Sequence, residues 1–143
     1  MATLTVNITE TITLNGKERG GTNITDINGV SYIDHRILSV SHSAEQSLVL
    51  FDTAVAAGQL ADSSVDYLRI TNLDSTNFIT LRFTSADDEY FVKLSAGDSF
   101  VLFETVMDTD DDAGAATASL ANIDSIKAVA NSASCNVELF VAA

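Results

Sequence analysis

Apolar and polar residues alternate most regularly at the start of the chain. Over residues 3–14, leucine, valine and isoleucine alternate with threonine and asparagine, with one interruption at Glu10. A two-residue period predicts a strand with one buried face and one polar face. The turn pair Asn15-Gly16 ends this strand, and the glycines at Gly20-Gly21 and Asn28-Gly29 predict a long loop after it.

Apolar and β-branched runs recur along the rest of the chain. They predict strands at 30–40, 46–51, 65–73, 77–84, 89–94, 99–106, 123–129 and 135–141. Turn residues separate these runs at intervals of roughly 8–12 residues, which is typical of an antiparallel β-sandwich or jelly roll. We therefore predict an all-β, antiparallel β-sandwich or jelly-roll-like fold of about eight or nine short strands. Because no linker or internal repeat is present, residues 1–143 are predicted to form a single domain.

Two arginines occupy similar positions in the segment YLRITNLDSTNFITLRF, which predicts a hairpin. In the register that keeps the apolar residues of both strands on one face, Arg69 lies opposite Arg82, with Tyr67 beside Arg69. Like charges directly across a ladder are unfavourable, so this pair requires a nearby acceptor. Two interpretations remain open: acidic residues of the same chain, or an acidic group on another chain. The acidic residues close in sequence are Asp66, Asp87, Asp88 and Glu89.

A second predicted hairpin, formed by 89–94 and 99–106, is apolar on both faces in places. Strands of this kind are covered on both sides, either by a loop of the same chain or by a neighbouring chain. Phe91 and Phe103 lie in these strands. The sequence therefore gives Arg69, Arg82, Tyr67, Phe91 and Phe103 as candidate interface residues.

The charge balance limits the partners. The chain has 7 basic and 20 acidic residues and a net charge of −13. Such a molecule is repelled by nucleic acid and by anionic membranes, so we expect neither as a partner. No leader-like segment and no apolar run of the ~20 residues that a spanning helix needs is seen, which favours synthesis in a cytoplasm. The one cysteine, Cys135, is predicted to be a small buried apolar residue.

The segment DTDDDAG, residues 108–114, is the one metal-like motif. Asp108, Asp110 and Asp112 stand at alternate positions, as in the first part of a calcium loop. Ala113 occupies the position usually held by glycine, and Ser119 occupies that of the closing glutamate. A solvated acidic loop is therefore the first interpretation, and a divalent-ion site is the alternative.

Catalytic motifs are missing. The two histidines, His35 and His42, are accompanied by no G-x-S-x-G elbow, no phosphate-binding glycine loop and no C-x-x-C pair. We therefore expect that the chain is not an enzyme and that it uses no cofactor.

Three segments together resemble small β-rich virion proteins of tailed bacteriophages: TVNITETITLNGKERGGTN, YLRITNLDSTNFITLRF and FVKLSAGDSFVLFE. The resemblance implies a structural protein of the virion. Within that group we expect a capsid decoration (cement) protein, a homo-oligomer and most simply a trimer, assembled in the host cytoplasm and bound to the major capsid protein. The acidic surface suits the exterior of a shell better than a DNA-facing lining.

Two alternatives remain open. The first is a head–tail connector, a tail component or a fibre knob. The second is a calcium-dependent carbohydrate-binding module that uses residues 108–114 and has Tyr67 or Tyr90 as a sugar platform.

Overall fold

The computed structural model describes residues 1–52, 56, 58–61, 64–86, 88–108 and 120–143. These residues form fifteen strands and no helix, which confirms the all-β prediction. The strands are β1 (Ala2–Glu10), β2 (Thr13–Leu14), β3 (Lys17–Glu18), β4 (Gly21–Val30), β5 (Ile33–Val40), β6 (Gln46–Asp52), β7 (Leu60–Ala61), β8 (Tyr67–Asn72), β9 (Ile79–Thr84), β10 (Glu89–Leu94), β11 (Ser99–Leu102), β12 (Val106–Met107), β13 (Ala121–Asn122), β14 (Ser125–Ala130) and β15 (Cys135–Ala142).

Two sheets form the body of this sandwich-like fold. One has the strand order β10-β9-β14-β6-β7, and the other has the order β11-β8-β15-β5. Every pairing is antiparallel except that of β6 with β7. The inward side chains of both sheets form one apolar cluster, which includes Leu68, Ile70, Ile79, Leu81, Phe83, Ile126, Val137, Leu139 and Val141.

The strand pairing differs from both predicted hairpins. β8 pairs with β11 and β15, whereas β9 pairs with β10 and β14. The chain thus crosses from one sheet to the other between β8 and β9, and crosses back between β10 and β11. Strands β8 to β11 form one long hairpin that is folded across the two sheets. Residues 33–52 and 125–142 form a second one, since β5 pairs with β15 and β6 pairs with β14. The alternation predicted which side chains face inward, but it carries no information on which strand is the neighbour.

Asn72 joins the two crossings of the first folded hairpin. It is fully buried, with 0% of its surface exposed. Its Nδ2 donates to the carbonyl oxygens of Asn77 (2.8 Å), Leu94 (3.2 Å) and Ser95 (3.2 Å). Its Oδ1 accepts from the backbone N–H of Asp74 at 3.0 Å. One side chain therefore donates to carbonyl oxygens at both crossings.

The first strand forms a separate two-stranded ribbon. β1 pairs with β4 from Ala2 opposite Val30 to Glu10 opposite Gly21. The predicted long loop over residues 20–29 is therefore wrong, because most of it is strand β4. The Asn15-Gly16 turn is confirmed, with φ values of 52° and 74°. A Cβ atom at Gly20 would collide with the Glu10 carbonyl oxygen, so the ribbon can bend there only with a glycine.

The base of the ribbon covers part of the four-stranded sheet. Val30, with the half-buried Leu4, Val6 and Ile27, packs against the outward side chains of Tyr67, Val101, Phe140 and Ala142. Beyond this base, the apolar residues of the ribbon and its tip are exposed: Ile8, Ile12, Leu14 and Ile24. We predicted that both faces of β11 are covered, by a loop of the same chain or by a neighbouring chain. The ribbon of the same chain covers part of its outer face at Val101.

Replacement of Asn72 tests this account of the fold. We expect Asn72→Ala to lower the free energy of unfolding by about 3 kcal/mol, because the carbonyl oxygens of Asn77 and Leu94 lose the Asn72 donor and the Asp74 N–H loses its acceptor. Asn72→Asp should lower the free energy of unfolding by at least as much, since a carboxylate then faces carbonyl oxygens. The control Asn136→Ala, at an exposed position in β15, should stay within about 0.5 kcal/mol of wild type. Urea unfolding measures all three. An Asn72→Ala protein as stable as wild type would contradict the account.

Candidate interaction surfaces

The outward residues of the four-stranded sheet lie in rows that cross its strands. In the order β11, β8, β15, β5, one row is Val101, Arg69, Phe140 and His35, and the next is Ser99, Thr71, Glu138 and Ile37. A third row contains Tyr67, Ala142 and Ile33. The ribbon packs on the β8, β11 and β15 positions of these rows, whereas the β5 positions remain exposed.

Glu138 is the acceptor for Arg69. Arg69 Nη1 lies 2.9 Å from Glu138 Oε2 and donates to Thr71 Oγ1 at 2.6 Å. The other carboxylate oxygen, Oε1, lies 2.7 Å from His35 Nε2. The hydrogen bond with His35, followed by that with Arg69, lowers the pKa of Glu138 below its ordinary value. One carboxylate thus joins β5, β15 and β8.

The predicted contact between Arg69 and Arg82 is wrong. The two arginines lie on different sheets, so no like-charge pair exists between them. Arg82 Nη2 contacts Glu89 Oε2 at 2.6 Å, and its Nη1 contacts Glu45 Oε2 at 3.3 Å. Of the two interpretations left open, acidic residues of the same chain are the acceptors for both arginines. For Arg82 one of them is Glu89, which was among the predicted residues.

A cluster of cations and aromatic rings occupies the outer face of the five-stranded sheet. Its residues, which we call the cation–aromatic face, are Phe78, Arg82, Phe91, Lys93 and Lys127. The Arg82 guanidinium lies 5.8 Å from the centre of the Phe91 ring, and Lys93 Nζ lies 4.5 Å from that of Phe78. Lys127 stands directly opposite Arg82 in the ladder. Phe91 is 58% exposed, which makes it the most exposed of the aromatic rings in this cluster.

The other aromatic candidates contact rings of the same chain, and Phe103 is also 36% exposed. Tyr67 is only 6% exposed, with its ring 5.5 Å from that of Phe103 and 6.0 Å from that of Phe140. The ribbon covers Tyr67, and its role at an interface stays a prediction. Tyr90 stacks on Phe83 at 4.6 Å, and its burial raises the pKa of its phenol. Neither tyrosine offers the open ring that a sugar platform needs.

The metal prediction falls mostly on residues that are not described. Asp108 is described, whereas Asp110 and Asp112 lie outside the described residues. Within the part of the chain that the structure describes, no group of three potential metal ligands is found. That part also contains no helix able to cross a membrane. Cys135 is fully buried, as predicted, and its burial raises the pKa of its thiol.

Sequence reasoning missed Glu138, Phe78, Lys93 and Lys127. Glu138, Lys93 and Lys127 stand at outward positions of alternating strands, and Phe78 directly precedes β9, so that signal was present. Their grouping depends on strand neighbours that are far apart in the sequence, so the pattern alone did not bring them together.

The Glu138 network predicts a particular acid response. Because folding lowers the pKa of this carboxyl, its contribution to stability is complete above the ordinary glutamate pKa and is lost as pH falls through the lowered value. Glu138→Gln should therefore lose stability less steeply between about pH 5 and about pH 3. Backbone N–H groups of Asn77 and Thr76 also lower the pKa of Asp74. Both proteins should therefore still lose some stability as the pH falls.

Unfolding free energies over this pH range measure the effect. Glu104→Gln, at an exposed position, serves as the control and should keep the wild-type slope. Equal slopes in wild type and Glu138→Gln would show that the network does not set the acid response.

Comparisons with known proteins add no relationship. No family model, no curated protein and no solved structure matches this chain. The function therefore has to be argued from the surfaces themselves.

Proposed function

We propose that the chain is a structural protein of a bacteriophage virion, a capsid decoration (cement) protein that binds the outside of the shell and stabilises it through subunit contacts. The observation that carries this proposal is the cation–aromatic face, with Phe91 exposed at its centre. The sequence resemblance supplies the virion context. The role proposed is adhesive, so it requires no reacting group.

Charge explains why this face is the docking surface. Three of the chain's seven basic residues, Arg82, Lys93 and Lys127, lie on this one sheet face of a molecule with a net charge of −13. Because Glu89 and Glu45 contact Arg82, the cations that this face offers to an acidic partner are chiefly Lys93 and Lys127. An acidic partner is repelled by most of such a surface and can approach closely only where cations gather. A large ring among them adds the apolar contact that dominates binding energy in many interfaces. The partner that fits is a shell surface with carboxylates around an apolar depression.

The ribbon supports an adhesive role. A two-stranded ribbon is marginally stable unless a face of it is covered. Here only the base is covered, and Ile8, Ile12, Leu14 and Ile24 are exposed. Contacts of this ribbon with further copies are part of the proposal, together with the homo-oligomer, a trimer, that the resemblance implies.

The carbohydrate-binding alternative has less support. Its sugar platform required Tyr67 or Tyr90, and the first is buried while the second stacks against Phe83. The connector, tail and fibre alternatives predict a different place on the particle, which the experiment below distinguishes.

Binding to shells tests the proposal. Purified protein is mixed with empty shells assembled from the major capsid protein of the same genome, and the pelleted copies are counted by quantitative mass spectrometry. We expect many copies spread over the outside of each shell. Phe91→Ser should weaken binding about tenfold or more, the usual effect of removing an aromatic anchor. The matched control is Leu73→Ser, which removes another exposed apolar side chain.

Three outcomes would contradict the proposal. No binding to intact shells would remove the decoration role. A few copies confined to one vertex would favour a connector or tail component. Equal losses for Phe91→Ser and Leu73→Ser would show that the cation–aromatic face is not the docking surface.

A further inference from the structure

Among the described residues, no strand pairs with the outer edge of β5 in the four-stranded sheet. This strand is eight residues long, and in the described part of the chain it pairs only with β15. Its outward isoleucines, Ile33 and Ile37, are 54% and 62% exposed. An edge of this length presents unpaired backbone N–H and C=O groups, which natural proteins normally cover or protect. This edge therefore requires an explanation.

The simplest occupant of an open edge is the same edge of a second copy, related by a two-fold axis. Antiparallel pairing restricts how two identical strands can meet. Facing residues must both point their backbone groups toward the shared edge or both away from it, and that direction alternates along a strand. At the two-fold axis, one residue must therefore face the same residue of the second copy. Below, the register is named by that residue.

Only a few registers are then possible, and their chemistry differs. With the axis at His35, Ile33 faces Ile37 of the second copy, and Asp34 faces Arg36 of the second copy. Apolar residues meet apolar residues, and each acid meets a base. This register is self-complementary at every position from 33 to 37 except the histidine pair on the axis.

The neighbouring registers lack this match. An axis at Asp34 places two aspartates opposite each other, and an axis at Arg36 places two arginines opposite each other. An axis at Ile37 sets Arg36 against Leu38 and Asp34 against Val40. Like charges in direct opposition, and charges against apolar neighbours, both destabilise a ladder.

The side chains at 34 and 36 are already held near the positions this register needs. Arg36 Nη2 donates to the Leu48 carbonyl oxygen at 2.8 Å, and its Nε lies 3.3 Å from Asp34 Oδ2. Both residues alternate with the outward row of Ile33, His35 and Ile37, so they lie on the inner side of the edge. Charges on the inner side oppose pairing with an arbitrary strand. A second copy in this register adds a further opposite charge next to each of them.

We propose that two copies pair through β5 in antiparallel fashion about an axis at His35, so that their four-stranded sheets become one continuous sheet. This contact goes beyond the proposed function and does not depend on it. If copies also form trimers through other surfaces, the pairing links neighbouring trimers.

Cysteine cross-linking tests the register. Directly opposite residues in an antiparallel pair have Cα atoms about 4.5–5.5 Å apart, within the range of a disulfide. His35→Cys should therefore form a disulfide-linked dimer under mild oxidation, while Arg36→Cys and Ser39→Cys should not. The native Cys135 is buried and should not contribute. Cross-linking of Arg36→Cys in place of His35→Cys would overturn the register, and cross-linking of none would overturn the pairing.

Charge reversal tests the contact independently. Asp34→Arg alone and Arg36→Asp alone each place like charges opposite each other at two positions, so each should raise the dimer dissociation constant by about tenfold or more. A mixture of the two variants restores every opposite pair, so it should form a mixed dimer close to wild-type affinity. Sedimentation velocity measures all three, with circular dichroism to confirm that the variants are folded.

Mixing Asp34→Arg with Arg36→Asp distinguishes loss of the contact from loss of folding. Recovery of association only on mixing supports the pairing, because loss of folding is not repaired by a second defective chain. Variants that associate as well as wild type, a mixture that stays dissociated, or a wild type that is monomeric at high concentration would each overturn it.

Discussion

The buried amide of Asn72 is the interaction on which the rest of the architecture depends. Between β8 and β9 and again between β10 and β11, the backbone leaves one sheet and enters the other. Asn72 Nδ2 serves Asn77, Leu94 and Ser95 at once. Because the crossings are held together, β8 and β9 face each other across the core, and Arg69 and Arg82 point outward on opposite sides. The two outer surfaces follow from that separation.

The sequence predicted the faces of the strands better than their neighbours. The alternation of Leu68 and Ile70, and of Leu81 and Phe83, correctly placed these residues in the core. It did not predict that the two strands belong to different sheets, because a two-residue period is the same for a flat hairpin and for one folded across a sandwich. Glycines at 20, 21 and 29 suggested a loop, whereas β4 runs through most of that region with its inward apolar contacts at Ile27 and Val30. The jelly-roll connection stays a prediction.

Because the sequence pattern does not reveal which strands are neighbours, only the surface contacts that are local in sequence could be predicted. Glu89 was identified as a partner of Arg82 because it is close in sequence. Glu138 was not identified as the partner of Arg69, since that contact depends on the pairing of β15 with β8. The low number of basic residues was visible from composition, but the gathering of three of them around Phe91 and Phe78 was not. A chain that is acidic overall and gathers cations at one face has one preferred side for an acidic partner.

The central claim is that this molecule works by adhesion, with its five-stranded sheet toward a shell. A cryo-electron microscopy map of the assembled particle tests this most directly. The account predicts density for the sandwich on the outer surface, with Phe91 and Lys127 at the shell contact and the four-stranded sheet turned away from it. Density inside the shell, or a particle in which Phe91 faces solvent, would contradict it.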